Sequence, residues 1–157
     1  MAVISFKSVG KTTATVQSET LDSSPIPIGI RTPVRAGIVE VDGVFAMHYE
    51  ISAQVNDNLR NLIETNYGER LGLYDFGANL RELTLEITAK EDFEAEVMLR
   101  IKRAVEKWMP YVSLKGFEMT HEPEQVNKTG IVKFSVSYDL PILNVSDQAV
   151  DIILYVT

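Results

Sequence analysis

The sequence contains no cysteine. A disulfide framework, a thiolate metal site and a cysteine nucleophile are therefore excluded, and the absence fits a reducing compartment. Histidine occurs only at His48 and His121, and neither sits in H-x-x-x-H or H-E-x-x-H spacing. Both read as surface histidines, and neither a metal nor any other cofactor is expected. No apolar run approaches the roughly 20 residues that cross a bilayer, and the N-terminus lacks the basic-then-apolar pattern of a signal peptide. A membrane is thus not an expected partner, and the chain reads as soluble and made in the cytosol. A basic stripe is missing too. With 15 Lys and Arg against 22 Asp and Glu the net charge is −7, which argues against a nucleic-acid partner, since phosphate demands the opposite sign.

What is present is ordinary globular composition. Of the 157 residues 45 % are hydrophobic and 24 % charged, enough for one domain with a core that needs no staple. The charge is uneven: residues 1–45 are neutral, and the whole deficit lies in 46–157. Residues 1–44 also carry no helical period. "KTTATV" (Lys11–Val16) is β-branched and polar, as a half-exposed strand would be. "SSPIPIGIRTPVRAG" (Ser23–Gly37) has three prolines, which favour extended backbone. Its alternating isoleucines suggest an arm laid along a surface rather than a free linker. The boundary is placed between an arm, 1–44, and a domain, 45–157.

Within that domain Ile51, Val55, Leu59, Leu62 and Ile63 follow one helical face, and Gly68 stands where a left-handed cap would end the helix. A second helix begins at the T-x-x-E of Thr88 and Glu91, a capping box. It runs along Phe93, Val97, Ile101, Ala104, Val105 and Trp108 and stops at Pro110. Three strands follow. Val112, Leu114, Phe117 and Met119 alternate about Gly116, a candidate bulge, and Val132, Phe134, Val136 and Tyr138 share one face. "AVDIILYV" (Ala149–Val156) is apolar on both faces, so it is either central in its sheet or completed by another chain. The expected fold is α+β: two main helices packed on a small, mostly antiparallel sheet, with an extended N-terminal arm.

Candidate chemistry is sparse. "VGKTT" (Val9–Thr13) resembles the end of a phosphate-binding loop, but Ser5 stands where its first glycine belongs and no helix pattern follows. Glu64, Glu69, Asp75, Glu82 and Glu86 lie around the interhelical loop with Tyr67, Tyr74 and Phe76. Two of these acids across a cleft would suit glycoside hydrolysis; caps, ion pairs to Arg70 and Arg81, or solvated surface account for them as well.

The run "DNLRNLIETNYGERLGLYDFGANLREL" (Asp57–Leu83) resembles the small baseplate wedge proteins of contractile-tailed bacteriophages. This is the lysozyme-like sheath-initiator family, related also to a type VI secretion baseplate component. The residues that carry the resemblance are Gly68-Glu69-Arg70, then Asp75-Phe76-Gly77, then Leu80 and Leu83, and the order of elements fits from about Phe45 to Val156. One departure is Met109-Pro110-Tyr111, where the family has acid-Pro-Arg. The resemblance implies a structural, non-enzymatic component of the virion's tail baseplate, assembled in the host bacterial cytoplasm in six copies. It would dock among other wedge proteins and initiate polymerisation of the sheath protein by strand addition. Glu69, Arg70, Asp75, Phe76, Gly77, Leu80 and Pro110 would form a rigid docking corner, with Arg70 suited to pair with Asp75 or with a partner's carboxylate. Val150, Ile152 and Leu154 would lie in the added-to strand. The alternative is a cell-wall muramidase of the baseplate, using the loop carboxylates.

Overall fold

A computed structural model of the protein describes residues 26–37, 43–86, 90–122 and 130–156. The expected strand at Lys11–Val16 and the capping box at Thr88 lie outside them. Two short strands, β1 (Gly29–Ile30) and β2 (Met47–His48), pair antiparallel. They are followed by helices α1 (Ile51–Glu64), α2 (Leu80–Glu86) and α3 (Lys90–Trp108). Strands β3 (Ser113–Glu122), β4 (Gly130–Leu140) and β5 (Val145–Val156) then form an antiparallel sheet of order β3-β4-β5. The α+β architecture is the expected one.

The helices lie on one face of this sheet. Val55, Leu59, Leu62 and Ile63 of α1 and Val97, Ile101, Ala104 and Val105 of α3 are buried against Phe134, Val136, Tyr138, Val150 and Ile152. Burying a side chain of that size contributes about 1.5–3 kcal/mol relative to leaving it in water. Ile51 departs from the pattern: it opens α1 and is exposed. A polar contact fixes the angle of α1 on the sheet. The Asn56 Nδ2 group donates to the Tyr138 hydroxyl and to the Ala149 carbonyl, both at 3.1 Å. Burial pushes the Tyr138 phenol up, and the bond from Asn56 only partly opposes it.

Sheet register follows the sequence pattern closely. The shift between Leu114 and Gly116 is the bulge that Gly116 suggested. Strand β4 is central, with Val132 to Leu140 buried at every second residue. Strand β5 bonds to β4 alone among the described residues, which places it at the edge of the described sheet despite its apolar character. Val150 and Ile152 point into the core, while Ile153 stands half-exposed on the opposite face.

The described residues of the N-terminal arm pair with 44–48 as a two-stranded ribbon against α1. Beyond β1 and β2, the Arg31 N–H donates to the Ala46 carbonyl at 2.9 Å and the Gly37 N–H to the Val44 carbonyl at 3.1 Å. The hairpin thus joins residues on either side of the boundary placed after residue 44. Its attachment is polar. The Asp57 Oδ2 atom accepts from the Thr32 N–H at 2.8 Å and lies 2.7 Å from His48 Nε2. The reading of His48 as a surface residue is therefore corrected: it is 7 % exposed, and Asp57 8 %. Sequence proximity hid this, because the pair closes only when the hairpin lies down on α1.

Candidate docking surfaces

The segment 66–79 folds back on the C-terminal end of α1. The last carbonyls of a helix have no partner within it, and here the returning chain bonds to two carbonyls at this end. The Ala78 N–H donates to the Leu62 carbonyl at 3.2 Å, and the Asn79 N–H to the Thr65 carbonyl at 3.3 Å. Gly77 makes the return possible. Its φ is +117°, and a methyl group there would strike the Thr65 carbonyl, so a side chain is excluded twice over. Gly68 plays a different part from the expected helix cap. The helix already ends at Thr65, whose extended backbone N–H bonds to the Asn61 carbonyl. With φ +83°, Gly68 shapes the turn beyond and donates to the Tyr74 carbonyl at 2.8 Å.

The corner's side chains divide into anchors and exposed groups. Leu80 is buried, and Phe76 packs edge-to-face on Trp108 with centroids 5.2 Å apart. The Arg70 guanidinium lies 4.3 Å above the Phe76 ring. The anticipated Arg70–Asp75 pair does not form, because Asp75 takes the Lys107 ammonium instead. Lys107 holds the Asp75 carboxyl below its usual range. Glu69 turns back on Asn66 and accepts from its N–H at 2.7 Å and its amide at 3.0 Å, which lowers its carboxyl likewise. Glu82 and Glu96 receive Arg100, which also donates to the Asn79 carbonyl at 2.9 Å, tying α3 to the corner. Leu71 and Tyr74, at the tip, are strongly exposed.

Glu69, Arg70 and Phe76 meet Trp108, Met109 and Tyr111 around a groove of about 560 Å³, whose other wall is Asn58, Asn61 and Thr65. Pro110 is exposed beside it. Of the corner residues named from the sequence, Glu69, Arg70 and Phe76 line this groove, while Leu80 is buried in the core. Val150, Ile152 and Leu154 are not part of it. Their side chains are buried or half-buried under the helices, so a partner arriving at β5 meets main chain, not these side chains. Leu71, Tyr74 and Lys107 also stand at this corner. Nothing in local spacing distinguishes an exposed loop leucine from an anchor such as Leu80.

Residues 50–144 match the model of the family described as baseplate wedge protein gp25. The chain belongs to that family. The match runs from the start of α1 through the turn after β4, and it leaves the N-terminal hairpin and β5 outside. Membership makes the chain a structural component of a tail baseplate that assembles with other baseplate proteins. No match is found among curated proteins. Among solved structures, a chain of the anti-feeding prophage baseplate is similar with TM-score 0.57 and 17 % identity, covering 77 % of this chain and 90 % of that one. A provisionally named tail lysozyme from Geobacter sulfurreducens is similar with TM-score 0.50 and 16 % identity, covering 68 % and 89 %. At such identities both likenesses speak to the fold.

Proposed function

We propose that the chain docks in the baseplate wedge through the 66–80 corner and starts the sheath by offering the free edge of β5 to the first sheath subunits. The observation that carries this reading is the edge itself. Strand β5 spans 12 residues and pairs on one side only among the described residues. A long edge of unpaired N–H and C=O groups invites strand addition. Its register is set from below, because Val150 and Ile152 are locked in the core. Six copies per baseplate, assembled in the host cytoplasm, would present six such edges as one ring.

Catalysis is not part of this proposal. Glycoside hydrolysis needs one carboxyl kept protonated and a second kept ionised across a cleft. Glu69 and Asp75 are both held in the ionised form by donors, and Glu82 is bonded to Arg100. Glu64 is raised, by burial against the pull of Arg60. Deleting the gene and imaging the resulting tail particles tests the initiator role. Baseplates bearing tubes without extended sheath are expected, and particles with complete sheaths would overturn it.

A further inference from the structure

The core is closed at one side of the three-stranded sheet and open at the other. On β5 the core-facing Val150 and Ile152 are each 1 % exposed, and Phe134, Val136 and Tyr138 of the central strand are buried as well. Strand β3 differs. Its Leu114, Phe117 and Met119 pack on the core but are only half-buried. Leu114 and Phe117 line a groove of about 430 Å³ against α3, and Met98 on the helix side of that groove is 54 % exposed. Strand β3 bonds to β4 alone among the described residues. An unpaired strand edge and an apolar groove therefore run side by side.

That combination specifies an occupant. A strand edge bonds to the main chain of another extended segment, and a pocket beside it takes alternate side chains of that segment. The segment required here carries bulky apolar groups two residues apart. It needs no charge, because the charges at the groove's rim are satisfied within the molecule. Lys115 is taken by Asp139 at 2.9 Å and by Asp147 at 3.0 Å, and Lys102 lies 4.0 Å from Glu106. An edge left bare beside half-covered apolar side chains invites aggregation, and covering it is a common remedy.

We infer that the occupant is the chain's own segment "AVISF" (Ala2–Phe6), added to the edge of β3 with Ile4 and Phe6 turned into the groove. Ala2, Ile4 and Phe6 share one face of an extended chain, and no residue from Met1 to Phe6 has a charged side chain. Length singles out the same part of the chain. The other stretches outside the described residues, 38–42, 87–89 and 123–129, are seven residues or fewer and tied at both ends. Residues 7–25 reach about 60 Å when extended, whereas a domain of this size has a radius of gyration of about 14 Å. The strand-like run Lys11–Val16 fits less well, since its apolar side chains are only Ala14 and Val16. With β3 covered, β5 is the edge that stays open to an incoming strand. That consequence rests on the initiator reading; the cover itself does not.

The test uses the purified full chain with photoreactive benzoylphenylalanine in place of Phe6, a replacement close in shape. A cross-link within one molecule is expected, to a peptide carrying Met98, Leu114 or Phe117. Cross-links between two copies, cross-links to another part of the chain, or none at all would overturn the inference. A second variant, Ile4→Asp, puts a charge where the groove is apolar. It is expected to speed hydrogen exchange about tenfold at the β3 N–H groups that face away from β4, with protection in β4 unchanged. Unaltered exchange at those groups would overturn the inference, and so would an equal rise in β3 and β4, which would mark a change in the whole fold. Both readouts use the isolated chain, so their failure is distinct from a failure of the initiator role in imaged particles.

Discussion

The body and the hairpin solve opposite problems. From α1 to β5 a continuous cluster of buried apolar side chains joins the helices to the sheet, so the body carries its own stability. In the hairpin Ile30 and Phe45 face outward while His48, Asp57 and Thr32 make the attachment. A region stabilised by burial is hard to loosen in parts; a region held by a few hydrogen bonds opens on its own. The contrast separates a region held by burial from one held by a few polar contacts, and the family match covers the first and not the second.

The largest effect is expected from the body. Leu59→Ala removes a fully buried side chain between α1 and the sheet and should cost about 2–5 kcal/mol in denaturant unfolding. The loss should be global, moving hairpin and sheet signals together. Gly77→Ala comes next. It forces a side chain into φ +117° and against the Thr65 carbonyl, a strain of order 1–3 kcal/mol. Hydrogen exchange should show its damage concentrated at Ala78 and Asn79, whose N–H groups close the corner onto α1. If exchange rises evenly through β4 instead, the corner is not a separable unit.

Much of the body is legible from residue spacing because its determinants are local. The face of α3 and the alternation in β4 are each read within one segment, and Gly116 marks its bulge by itself. The corner is half legible: the need for Gly77 follows from the turn, but the partners of its charges do not. Arg70 had Asp75 nearby in sequence, yet stacking on Phe76 and the arrival of Lys107 from α3 rearranged the pairs. Exposed ion pairs differ too little in energy for spacing to choose among them. The hairpin latch joins residues 9 and 25 positions apart, and only the fold brings them into contact. The edge position of β5 was illegible for a further reason. A strand with two apolar faces looks the same whether its second neighbour is its own chain or another.

Asp57→Asn should sharpen the contrast at smaller cost, about 1–3 kcal/mol, felt by the hairpin more than by the body. Burial pushes the Asp57 carboxyl up, but the hydrogen bonds from His48 and from the Thr32 N–H outweigh it, so the folded value lies below the ordinary one. A carboxyl depressed in the folded state contributes stability above its unfolded value and loses it as pH falls through the folded value. The Ile28 and Arg31 amides, which bond across the hairpin, should therefore be protected near neutrality. Their protection should fall on acidification below the ordinary carboxylate range. In Asp57→Asn that pH dependence should vanish, leaving weak protection throughout. Equal acid loss in both forms would show that the hairpin is held by something other than the latch.

The smallest effect is expected at the corner's surface. Asp75→Asn removes the partner of Lys107 on fully exposed ground, where solvent screens the pair and side-chain entropy opposes it. The melting transition should not move measurably, since Phe76, Trp108 and Gly77 hold the corner without that pair. Incorporation into baseplates is the more sensitive readout, because freeing Lys107 alters the charge offered to a wedge neighbour while the backbone stays in place. A drop in incorporation with an unmoved melt would separate docking from folding at this corner. A lower melt would mean that the exposed pair shapes the turn, and the corner would then be less rigid than its backbone bonds imply.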